Sequence, residues 1–98
     1  MSYDPHARIE GQALRFSMHG PDQAALQVDV HAAALQQYFG AGGEPSSWLQ
    51  AYRANFRVIH ALAQLKSQVQ AGPLVLAPED FGEETLRRLR AQNDARSP

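Results

Sequence analysis

The stretch SSWLQAYRANFRVIHALAQLKSQVQ, Ser46 to Gln70, decides the fold. At 100° per residue, Trp48, Leu49, Tyr52, Phe56, Ile59, Leu62, Ala63 and Val69 fall in one arc of roughly 160°. Gln50, Arg53, Arg57, His60, Gln64 and Gln68 fall opposite. Strict alternation fails throughout, so the period is that of a helix and not of a strand. Glu44-Pro45-Ser46-Ser47 precedes the arc, and Ser47 with Gln50 fits a serine-x-x-glutamine capping box. Gly72-Pro73 closes it with a left-handed cap and a residue that cannot continue a helix. A straight helix over residues 47–70 with its cap spans ~37 Å. A chain of this length folds to a radius of gyration of ~13 Å, a diameter of roughly 35 Å. The helix therefore either kinks or projects one end toward a partner.

Working outward, Leu14-Arg15-Phe16-Ser17-Met18 and Leu26-Gln27-Val28-Asp29-Val30 both alternate apolar and polar residues, as half-buried strands do. His19-Gly20-Pro21-Asp22 between them is a turn cluster. Pairing same-face residues sets Leu14 opposite Val30, Phe16 opposite Val28 and Met18 opposite Leu26. Arg15 then meets Asp29 on the wet face, a favourable cross-strand pair. Residues 31–39 are strong helix formers closed by Gly40, with Leu35, Tyr38 and Phe39 as the positions expected to be buried. Gly40-Ala41-Gly42-Gly43 reads as a flexible link. Leu74-Val75-Leu76 reads as a third strand, near 74–77. Glu83 to Arg90 reads as a C-terminal helix with acids first and arginines last, matching the helix dipole. Residues 1–12 read as loose, and residues 91–98 as disordered.

The expected fold is a two-layer α+β domain of order β-β-α-α-β plus the C-terminal helix. Its sheet is three-stranded and of antiparallel type, with strands near 14–18, 26–30 and 74–77. One sheet face packs against helices near 31–39 and 47–70. The core expected from this pattern is Phe16, Val28, Leu35, Phe56, Ile59 and Leu76. Ninety-eight residues make a single domain, with an ordered core over about 12–81 and an extension over 82–98.

Composition narrows the function classes. The net charge of −1 argues against a general nucleic-acid binder, which carries a basic face. The absence of cysteine removes disulfides, a thiol nucleophile and a cysteine zinc site. No apolar run reaches membrane-span length, and the first residues lack a signal-peptide pattern, so no membrane association and a cytoplasmic location are expected. Arginine supplies all but one of the nine cationic side chains, which is compatible with a GC-rich bacterial source.

The order of these features resembles a known family. A hairpin strand leads into a helix with Ala34-Leu35 that closes on Tyr38-Phe39-Gly40-Ala41. A long helix follows with Trp48-Leu49, Tyr52, Asn55, Ile59 and Ala63, then Leu74-Val75-Leu76 and Asp80-Phe81. This looks like domain of unknown function 1488, a group of short bacterial proteins, over about Gln12 to Phe81. The resemblance implies a small α+β domain and supplies no catalytic residues. The chain departs from the family at His31, where a serine usually caps the first helix. It departs again after Asn55, where Phe56 stands before Arg57 and an arginine usually follows directly.

No catalytic, cofactor or metal site is expected. The four histidines, at 6, 19, 31 and 60, lack the i, i+4 spacing of a helical metal site and read as surface residues. Glu79, Asp80, Glu83 and Glu84 flank helix starts, where exposed backbone N–H groups stabilise acids. The glycines before the long helix lack the strand and the Lys-Ser/Thr of a phosphate cradle. Asn55, inside the apolar arc, is expected to bond a loop backbone and fix how the helix meets the sheet. Lys66 is expected to extend its stem to solvent.

The function that follows is a non-catalytic protein-interaction or accessory domain, not an enzyme. Its partner is expected to be a second copy of the chain or another protein, through Val58, Leu62, Leu65 and Val69 at the edge of the apolar arc. The intramolecular alternative is that the first helix, or the C-terminal helix through Leu86 and Leu89, covers this strip. A weak nucleic-acid or regulatory module using Arg53, Arg57 and the arginines at 87, 88, 90 and 96 is the other functional reading.

Overall fold

The hairpin of β2 (Ala13–His19) and β3 (Ala25–His31) forms in the register that the alternation dictates. Leu14 faces Val30, Phe16 faces Val28, Met18 faces Leu26, and Arg15 faces Asp29. Leu14, Phe16, Val28 and Val30 are buried on one sheet face. On the other face the Arg15 guanidinium grips Asp29 through two hydrogen bonds, Nε to Oδ1 at 2.8 Å and Nη2 to Oδ2 at 3.1 Å. The computed structural model describes residues 3–19, 25–70 and 72–96, with side chains as far as residue 91. The turn expected over residues 19–22 therefore lies mostly outside the described residues.

The sheet has four strands rather than three, in the order β1-β2-β3-β4, and it is mixed rather than antiparallel. The added strand is β1 (Arg8–Glu10), which pairs antiparallel with β2 within the stretch read as loose. Three residues are too few to show alternation, but Gly11 carried a signal. It stands at φ +62° directly after Glu10, in the two-residue connection to Ala13, where tight hairpin turns call for positive φ. β4 (Leu74–Leu76) runs parallel to β3, with Val28 opposite Leu74 and Val30 opposite Leu76. A fully apolar triplet carries no direction. The two helices between β3 and β4 supply the long crossover that a parallel pair needs.

α1 (Ala32–Phe39) starts at His31, whose side chain makes no cap bond, and ends on Gly40 at φ +73°. Leu35 is buried, whereas Tyr38 and Phe39 are half-buried, each with its ring against Phe81. α2 (Pro45–Ser67) begins two residues before the expected capping box. Ser47 does not cap it. Its hydroxyl donates to the Glu44 carbonyl at 2.6 Å and accepts from the Gly42 N–H at 2.9 Å. The Gly42 carbonyl receives Trp48 Nε1 at 2.8 Å and Gln36 Nε2 at 3.1 Å, so the glycine link is pinned.

α2 resolves its excess length by kinking. Asn55 leaves helical geometry at φ −125°, ψ 19°. Its side chain donates to the Ala51 carbonyl of its own helix at 2.9 Å, not to a loop as expected. A polar side chain that bonds the i−4 carbonyl bends a helix in this way. The molecule extends 32 × 27 × 25 Å, with a radius of gyration of 12.6 Å. Because the wheel drawn straight through Asn55 no longer holds, the core shifts. Trp48, Ala51 and Tyr52 are buried before the kink, and Val58, Ile59, Leu62 and Ala63 after it. Phe56, expected in the core, is half-buried at its rim. Of the other expected core residues, Phe16, Val28, Leu35, Ile59 and Leu76 are buried.

α3 (Pro78–Phe81) and α4 (Glu83–Arg96) complete the chain. α4 extends well past Arg90, through residues expected to be disordered, and buries Leu86 and Leu89. The acids divide among separate tasks. Asp80 Oδ2 accepts the Ala77 N–H at 2.9 Å and the Lys66 ammonium at 3.0 Å. Lys66 also donates to the Val75 carbonyl at 2.6 Å, so it ties α2 to β4 and α3 instead of reaching solvent. Lys66→Met keeps the stem but strands both acceptors. It is expected to cost about 1 kcal/mol in chemical denaturation, a partly exposed pair being screened. A neutral result would show that solvent replaces the ammonium without loss.

Candidate functional site

His60, placed by the helical wheel on the wet flank of α2, is only 6% exposed. Part of its cover is Phe16, distant in sequence, about which a wheel carries no information. Phe16 of β2 stacks on the imidazole at 4.8 Å and 17°, and on the Tyr52 ring at 4.9 Å and 25°. Phe56 meets the imidazole edge-on at 5.7 Å. The Tyr52 hydroxyl and His60 Nε2 are 2.8 Å apart.

The segment before β1 closes this cluster. The Asp4 N–H donates to the Tyr52 hydroxyl at 2.8 Å. When the phenol donates its hydrogen to Nε2, the imidazole proton sits on Nδ1. Asp4 Oδ1 accepts the His6 N–H and Oδ2 the Ser17 N–H, both at 2.9 Å. The second of these bonds occupies the β2 edge beyond the end of β1. Tyr3 lies edge-on to Tyr52 at 6.3 Å and to Phe56 at 6.0 Å, with the Arg53 guanidinium over its ring at 5.3 Å. Arg57 lies over Phe56 at 5.8 Å.

Burial sets the protonation of the pair. It pushes His60 down to about 4, against the opposing pull of the Asp4 carboxylate. It pushes Tyr52 up to about 12, with the Asp4 N–H acting in the other direction and the Asp4 charge adding to the rise. At neutral pH the arrangement is an uncharged imidazole hydrogen-bonded to an un-ionised phenol beneath aromatic rings. Chemically it holds the segment before β1 in place, and His60 lines neither of the two surface cavities described below.

The four strip residues separate. Val58 and Leu62 are buried inside the chain, as are Leu86 and Leu89 of α4, which packs on α2. Leu65 is 48% exposed and Val69 87% exposed. Leu65 lines a groove of about 400 Å3 between α2 and α4 with Ala61, Gln64, Gln68, Thr85 and Leu89. Arg88, also on its wall, is paired with Glu84 at 3.1 Å, so the groove carries little net charge. A wider cavity of about 580 Å3 lies between α1 and α4, where Arg87 and Arg90 face Gln37 and Tyr38. Glu83 is the one acid of the 79–84 cluster on its wall. Among the described residues, no three histidine or acidic side chains stand together as a metal site requires. No helix among the described residues is long and apolar enough to cross a membrane. No family model, curated protein or solved structure matches this chain.

Proposed function

We propose that the protein is a non-catalytic interaction domain that pairs with a second copy of itself through the C-terminal turns of α2. The exposure of Leu65 and Val69 beside the neutral α2–α4 groove carries this reading. An apolar ridge next to a shallow groove is self-complementary in a two-fold pair, each ridge entering the other copy's groove. A face with balanced charge brings no repulsion when it meets itself, and a chain of net charge −1 adds little. Val58 and Leu62 support the face from beneath. Membership of domain of unknown function 1488 belongs to the same proposal and adds no activity to it.

Sedimentation equilibrium is the test. The intact chain is expected to dimerise at micromolar concentration, and Leu65→Glu to remain monomeric with its fold intact. A monomeric intact chain at that concentration would overturn the proposal. The nucleic-acid reading draws its support from Arg87 and Arg90, which make no ion pair among the described residues. It predicts salt-dependent retention of nucleic acid that the double variant Arg87→Ala, Arg90→Ala abolishes.

A further inference from the structure

The contacts made by Tyr3 and Asp4 are of the kind with which a protein receives a peptide. One backbone N–H goes to a buried phenol, Tyr52. One carboxylate oxygen goes to the N–H of Ser17, on the part of β2 that extends beyond β1. One aromatic ring sits against Tyr52 and Phe56 beneath a guanidinium. Asp4 then begins a turn, in which its carboxylate accepts the His6 N–H and its carbonyl the Ala7 N–H at 3.2 Å. Pro5 presets the backbone of that turn. The segment adds no residue of regular structure before Arg8, yet two hydrogen bonds, at Tyr52 and Ser17, join it to the receiving surface.

We propose that the surface formed by Ser17, Tyr52, Arg53 and Phe56 is a recognition site for a partner segment in which an aromatic residue precedes an aspartate at the start of a turn, and that the chain's own Tyr3-Asp4 occupies this site in cis. Contacts that do not involve the segment also hold the receiving side chains. Phe16 stacks on both the Tyr52 ring and the His60 ring, and His60 Nε2 bonds the phenol hydroxyl, so the phenol oxygen is held where the incoming N–H meets it. Aspartate is selected because its short carboxylate reaches Ser17 while its own N–H reaches Tyr52. The aromatic residue is selected by the two ring edges and by Arg53, a cation over a π face. Tethering gives the internal segment an effective concentration of the order of millimolar, so it acts as a built-in competitor. This site is separate from the Leu65 face, and its test does not depend on that face.

The probe is a blocked peptide of residues 2–7, followed through the Ser17 amide and His60 imidazole signals by NMR. The hosts are the full chain and its Asp4→Ala and Tyr3→Ala variants, either of which loosens the internal segment. The peptide is expected to bind each folded variant and to need at least tenfold more to bind the intact chain. The same peptide with alanine in place of its aspartate is expected not to bind. If the peptide moves neither signal in a variant whose other amide signals remain dispersed, the proposal is overturned. Equal binding to intact and variant chains overturns the built-in competition. A dimer of the intact chain that Asp4→Ala abolishes and Leu65→Glu leaves whole overturns the partner reading, because the segment of a second copy would then be the occupant.

Discussion

Phe16→Ala is expected to cost about 3–5 kcal/mol, a large share of the total stability of a domain of this size. Phe16 is 1% exposed and stands where the two layers meet. It pairs across the sheet with Val28 and stacks on both Tyr52 and His60. Removing its ring leaves a cavity whose far wall is a hydrogen-bonded polar pair, which cannot collapse inward without breaking that bond. Urea denaturation measures the loss. A cost well below 1 kcal/mol would show that the stack is peripheral. Phe56→Ala, at the rim, is expected to lose less than Phe16→Ala, since part of its surface is already in water.

The second large effect is on pH dependence. His60 in the folded chain titrates at about 4, below the ordinary 6.5. The unfolded chain therefore takes up this proton first as pH falls. Stability from this group is fully present above about 6.5, is lost as pH drops through the interval down to about 4, and levels off below it. Between pH 7 and pH 5 the loss is roughly 2 kcal/mol. His60→Gln, which can still accept from the Tyr52 hydroxyl, is expected to abolish the slope in this interval. Equal slopes in both proteins would place the titrating group elsewhere.

Much of the fold was legible because alternation fixes faces. Leu14 through Met18 and Leu26 through Val30 carried their register, including the Arg15–Asp29 pair, in their pattern alone. Strand direction was not carried by Leu74-Val75-Leu76, and the parallel pairing with β3 was recoverable only from the length of the helical connection. The kink at Asn55 was half legible. The arithmetic of helix length required a kink or a projection, but an amide within an apolar arc did not say that it would bond its own helix. The Tyr52–His60–Asp4 cluster was not legible. Tyr52 and His60 share a helix, but Phe16, which stacks on both, belongs to a strand, and Asp4, which bonds Tyr52, belongs to the segment before β1, and no helical period registers either. The Leu65–Val69 face was visible as apolar excess, whereas the burial of Val58 and Leu62 was not.

The parallel pairing of β4 with β3 also orders the events of folding. β2 and β3 are neighbours in sequence, and a hairpin of this kind closes in about 1–10 μs. Leu74 can meet Val28 only after the intervening chain has coiled into α1 and α2 and turned back, and the entropy of that loop must be overcome before the contact gives any return. Until then the open side of β3 is an unpaired edge, and the apolar faces of Val28 and Val30 are bare. The interval between hairpin closure and the arrival of β4 is thus when this chain is most exposed to aggregation. Lys66, which grips the Val75 carbonyl and Asp80 together, acts at the end of that interval by fastening the last strand to the helix that delivered it.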